Sequence, residues 1–187
     1  MSNESIPKYE VACELLEWAI TTYISRRGCY AALHLAGAAE EVFAVYLKSL
    51  NRNKKMIPSS ESFKDLFLYI SEPSDEHEHE KLSSWVIDRM NRPRISVKHK
   101  RGHKDEFVDF DDFEEAADVI NRAINNYIQL QSEFSLRDIP SVVDFLQHEK
   151  IIKSEKNTPL AGVLINYSAI IEIAPSPSDI ESSKPPR

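Results

Sequence analysis

Apolar residues recur at three- and four-residue spacing along most of this chain, and the breaks in that rhythm mark out its helices. Across residues 8–26, Tyr9, Ala12, Leu15, Leu16, Ala19, Ile20 and Tyr23 make one helical stripe. Arg26 and Arg27 suit the negative end of that helix, and Gly28 ends it. Residues 29–50 predict a second helix with two neighbouring stripes. Ala32, Leu35, Ala39, Val42 and Tyr46 form one, and Leu33, Ala36, Phe43, Leu47 and Leu50 the other. A face that wide needs two packing partners. A connector with Ser60 or Ser62 as N-cap leads to a short helix over 63–70. The polar run 71–80 predicts a solvated loop, followed by a helix over 82–90 with Leu82, Trp85, Val86 and Arg89 on one side. Pro93 lacks an amide hydrogen, so either that helix ends at Asn91 and Arg92 or Pro93 opens a new one as its first residue. The last long helix covers 111–132. Asp111 or Asp112 caps it, Glu114 and Glu115 sit in its first turn, and Phe113, Ala117, Ile120, Ile124, Tyr127 and Ile128 line its apolar face. Beyond it, 138–150 reads as a short extra helix, 159–173 as strand or helix, and 174–187 as a disordered tail.

Each of the four long apolar faces needs a facing partner, which predicts an all-α antiparallel four-helix bundle over 1–134, an extension over 135–173 and the tail. Only four Gly in 187 residues agrees with helices rather than a turn-rich β fold. A hydrophobic share of 42% and a charged share of 28% fit a soluble globular chain. Apolar runs are broken by charge before the roughly 18 residues a membrane span needs, and the first ten residues lack a signal-peptide layout. The expectation is a cytoplasmic protein with no membrane association. Cys13 and Cys29 fall in apolar helical surroundings without a partner pair at metal spacing, so they read as small core residues.

Net charge is −7, yet residues 91–104 gather six of the 23 Lys and Arg, with two of the six His. Within that cluster Arg94 and His99 lie five apart, about 140° around a helix, so they converge only at a helix terminus. If Pro93 opens a helix there, the Arg94 guanidinium can grip a phosphate bidentately beside free helical amides. Imidazole titrates near neutral pH, so His99 can take the proton of a ribose 2′-hydroxyl or give one to a leaving 5′-oxygen. No metal or cofactor is needed for that chemistry. Asn91 and Lys98 stand beside the pair as supporting residues. Glu40 interrupts the apolar stripe of the second helix, so it is either at the stripe's edge or buried with a cation such as Arg94, Lys98 or His99. Glu41 faces another way, toward Lys48. Gly37, with Ala36 and Ala38, allows close helix approach. The competing reading of the basic cluster is a solvated helix end offset by Asp105, Glu106, Asp109, Asp111 and Asp112.

Metal chemistry has little to work with. His77 and His79 are two apart in an acidic run, and His99 and His103 are separated by Gly102 among cations. A phosphate-cradling Gly loop, HExxH and a Ser nucleophile elbow are all missing from the sequence.

The segment RISVKH, Arg94 to His99, together with the small, carboxylate-bearing GAAEEVF of the second helix, resembles the HEPN superfamily (higher eukaryote and prokaryote nucleotide-binding domain) over residues 8–132. The resemblance implies a helical bundle with metal-independent RNA cleavage at a site composed across a homodimer. It also implies a toxin or phage-defence setting with RNA, nucleotide or antitoxin partners. Many members are inactive and serve in binding or assembly, and Ile95 stands where active members commonly carry a polar residue. A non-catalytic dimerisation or partner-binding bundle is therefore the alternative.

Overall fold

The computed structural model describes residues 5–50, 56–99 and 106–155, and among them every regular element is a helix. In chain order these are α1 (Lys8–Ile24), α2 (Cys29–Leu50), α3 (Ser59–Ser71), α4 (Glu76–Lys98), α5 (Asp112–Phe134) and α6 (Ser141–Glu155). The all-α class expected from periodicity is what the described residues adopt. Residues 159–187, which the sequence divides between an ambiguous apolar segment and a tail, lie outside the described residues.

Helix ends follow local chemistry. Gly28 leaves α1 at φ 91°, a backbone region that costs other residues steric strain. Asp111 accepts hydrogen bonds from the amides of Phe113 and Glu114, a cap worth about 1 kcal/mol to α5. Neither Ser60 nor Ser62 caps α3, which starts earlier, after Pro58. The Asn126 side chain reaches across from α5 instead and accepts from the Ser59 amide at 2.8 Å.

Two corrections concern α4. The run 76–80, expected as a loop, is its first turn and a half. Asp75 accepts from the Glu78 amide, and Glu78 in turn accepts from the Ser74 amide and hydroxyl. Glu76 and Glu78 also sit at the positive end of the helix dipole, so a stretch with no apolar signal is helical through its cap. At the other end the helix neither stops before Pro93 nor restarts there. It runs through Pro93 to Lys98, with His99 as C-cap. Pro93 gives up one hydrogen bond to the turn before it, but Leu82, Val86, Met90 and Pro93 are all buried at spacings of four, four and three, so its ring completes the apolar stripe.

Aromatic contacts fix the helix directions. Tyr9 at the start of α1 lies 5.5 Å from Tyr46 and 5.3 Å from Phe134, near the ends of α2 and α5. Tyr23, near the end of α1, stacks at 4.3 Å on Phe113 at the start of α5. Thus α2 and α5 run parallel to each other and antiparallel to α1, the directions that the second and fourth long helices of an antiparallel bundle take. Two helices, α3 and α4, intervene in sequence and return the chain to the same end.

Packing divides unequally. α1, α2 and α5 enclose the main core, with Leu16, Ile20, Leu33, Phe43, Leu47, Ile120 and Leu130 fully buried. Leu136, Ile139, Val142 and Phe145, past the end of α5, belong to the same cluster, so the segment around α6 is built into it. α3 and α4 make a smaller cluster of their own from Phe63, Phe67, Leu68, Leu82, Val86 and Met90. This side hairpin, laid against α2 and α5, carries the basic motif.

Candidate functional site

Arg94 projects from the last turns of α4 onto α2. Its Nη1 donates to the Gly37 carbonyl at 3.1 Å, and its Nη2 donates to Asn91 Oδ1 at 3.1 Å. The same Nη2 lies 3.1 Å from Glu41 Oε1. Arg94 is 18% exposed and Glu41 68% exposed, so the guanidinium is largely covered while its carboxylate partner stands in solvent. Gly37 makes this seat possible. A Cβ at position 37 would collide with Arg94 Cδ and lie 3.1 Å from its Cγ. The glycine read as allowing close helix approach admits an arginine stem.

His99 is exposed at the C-cap of α4, with its backbone amide donating to the Ile95 carbonyl at 3.0 Å. Lys98, the last helical residue, is also exposed. Arg94 and His99 do lie at a helix terminus, but it is the opposite one from that expected. The end of a helix presents free carbonyls, so the amide cradle imagined beside Arg94 is absent from that place. Orientation of the fork comes from Gly37, Asn91 and Glu41. Lys100, Arg101, His103 and Lys104 lie outside the described residues.

Of the two adjacent carboxylates, Glu41 touches the motif. Glu40 points to α5, where its Oε1 accepts from Arg122 Nε at 2.9 Å and its Oε2 from Arg122 Nη2 at 3.3 Å. Glu40 lies neither at the stripe's edge nor against a cation of the motif; its partner is Arg122, and both residues are buried, at 6% and 5% exposed. Lys48, expected to pair with Glu41, reaches Glu61 at 2.7 Å. Burial by itself opposes charge on Arg122, but the Glu40 carboxylate outweighs it, and the guanidinium is held above its ordinary range.

Glu115, half-buried nearby on α5, shows the opposite balance. Burial raises its carboxyl above the usual glutamate range despite Arg89 and Arg122. An ionised group whose folded value is raised destabilises the native state at neutral pH, and that penalty vanishes where both states are protonated. Glu115→Gln is therefore expected to raise the thermal midpoint at pH 7 and to leave it unchanged at pH 3, as read by circular dichroism.

The cysteines behave as read. Cys13 is fully buried, and its thiol is pushed up to about 11 by burial, with Glu10 adding to the effect. Cys29 is raised by burial and Asp112. Neither is a thiolate at neutral pH. His77 and His79 lie on α4 two residues apart, and among the described residues no group of three His, Cys, Asp or Glu is arranged to hold a metal. No helix among the described residues is long and apolar enough to cross a membrane.

A second polar cluster escaped the sequence reading. The Tyr23 hydroxyl donates to Glu149 Oε1 at 2.6 Å, tying α1 to α6, and His148 packs edge-on against the Tyr23 ring. Only the buried position of Tyr23 in a helical stripe hinted at it.

No family model, curated protein or solved structure matches this chain.

Proposed function

We propose that this chain is an RNA- or nucleotide-handling bundle of HEPN type that cleaves RNA without a metal, with Arg94 and His99 as its reacting groups. The observation that carries the reading is the seat of Arg94: a guanidinium fixed by groups from two helices, at the same helix end as an exposed imidazole. In the reaction His99 removes the ribose 2′-hydroxyl proton, the 2′-oxygen attacks phosphorus, and the 5′-oxygen leaves with a proton from a second imidazole. The products are a 2′,3′-cyclic phosphate and a free 5′-hydroxyl. Arg94 stabilises the charge that builds on the phosphoryl oxygens. A homodimer supplies the second His99, so base and acid come from two copies related by a two-fold axis. Asn91 orients Arg94, and Lys98 adds an exposed charge to the patch. With a chain of net charge −7, binding rests on this local patch and weakens steeply with salt. A toxin or phage-defence setting with an antitoxin follows from the resemblance alone.

A second reading, a non-catalytic dimerisation or partner-binding bundle, is favoured by a different observation. Leu66, Tyr69 and Ile70 lie on one side of α3 and are exposed, Tyr69 at 81%.

The deciding experiment incubates purified protein with RNA in EDTA. Cleavage leaving cyclic phosphate ends is expected for the wild type and should be lost in both Arg94→Ala and His99→Ala. Cleavage that both substitutions leave intact would remove the enzymatic reading.

A further inference from the structure

We infer that Glu41 is an internal anion that holds the Arg94 fork closed, and that a phosphate group gains the fork by displacing it. The inference takes its location from the reading above and adds how that site is regulated.

The three partners of the guanidinium differ in how easily they leave. The Gly37 carbonyl belongs to the backbone of α2 and cannot withdraw without moving the helix. Asn91 sits one turn before Arg94 on α4, is half-buried and has a short side chain. Glu41 has a long side chain with its carboxylate 68% exposed, and it reaches Nη2 from one turn beyond Gly37 on the same helix. Exposed ion pairs of this kind are individually weak and exchange readily. The seat is thus two permanent contacts plus one replaceable one.

Chemistry decides what replaces it. A carboxylate on a guanidinium offers the same geometry as two phosphate oxygens, planar and bidentate where both can approach, so the incoming group must be an oxyanion. Neutral hydroxyls and amides cannot match the charge. With Glu41 in place the fork carries no net charge toward solvent, whereas swinging it aside exposes a full positive charge on an arginine whose stem stays seated over Gly37. Glu41 therefore sets a threshold: an oxyanion binds only if it outcompetes a tethered carboxylate.

The test titrates inorganic phosphate at low ionic strength into wild type, Glu41→Gln, Arg94→Ala and the double variant, following phosphate line broadening by 31P NMR. Glu41 is exposed, and circular dichroism checks that each variant is folded. Glu41→Gln is expected to bind phosphate about 3- to 5-fold more tightly than wild type, the factor equivalent to one weak surface ion pair. Arg94→Ala should abolish binding in both backgrounds. Unchanged or weaker binding by Glu41→Gln would overturn the inference, because Glu41 would then support the fork rather than compete for it. Tighter binding that survives loss of Arg94 would overturn it as well. Neither result depends on His99 or on RNA cleavage, so failure here and failure of the ribonuclease reading are separately visible.

Discussion

Glu40→Ala is expected to lower the unfolding free energy by about 3–5 kcal/mol, and Arg122→Ala by a similar amount, read from urea denaturation midpoints. Each single substitution leaves a charge buried between α2 and α5 without the partner that hydrogen-bonds it, although Asp118 and Glu115 still attract Arg122. Asn126, fully buried, donates to the Glu40 carbonyl at 3.4 Å while accepting from Ser59, so α2, α3 and α5 share one polar network. Removing both charges together, as Glu40→Leu with Arg122→Met, should recover most of the stability, because apolar groups of similar volume replace a pair that was costly to desolvate. A cost below about 1 kcal/mol for either single change would mean that water reaches the pair.

Gly37→Ala is expected to separate function from stability. Alanine favours a helix over glycine by about 1 kcal/mol, which offsets the adjustment of a flexible arginine stem, so the unfolding midpoint should move little. The guanidinium, however, cannot stay on the Gly37 carbonyl once a Cβ occupies the space of Arg94 Cδ. Misplacing a reacting group by about 1 Å lowers rates on the order of 100-fold, and a drop of that size is the expected effect on Arg94-dependent RNA cleavage. In the Gly37→Ala background, Arg94→Ala should cause little additional loss, a non-additivity that a merely structural role for Gly37 would not produce.

Periodicity made the helical class and the positions of α1, α2 and α5 legible, since each carries an apolar stripe that is largely buried, although Ile128 of the α5 stripe is 51% exposed. It failed where polar atoms determine the structure. Residues 76–80 have no apolar rhythm, and only the cap formed by Asp75 and Glu78 makes them helical. Pro93 predicts a break because its missing amide hydrogen is visible in sequence, whereas the burial that offsets it is not. The same limit governs the candidate site. Arg94 and His99 were found by spacing, but adjacent residues on a helix point 100° apart, and a stripe says that Glu40 is inward without saying which helix it faces. Glu40 meets α5 and Glu41 meets α4, so which carboxylate belongs to the basic motif depends on where α4 crosses α2.

The parallel placement of α2 and α5 also bears on how the chain is made. Glu40 and Arg122 are 82 residues apart, and Tyr23 and Glu149 are 126 apart. On the ribosome, α2 is complete at Leu50, whereas α5, the helix that covers its second stripe, begins only at Asp112. At ordinary elongation rates of about 5–20 residues per second, that wide apolar face waits on the order of 3–12 s for its partner. A nascent chain with such a delay is a natural client for chaperones, and truncation before α5 should yield an insoluble product rather than a smaller folded domain.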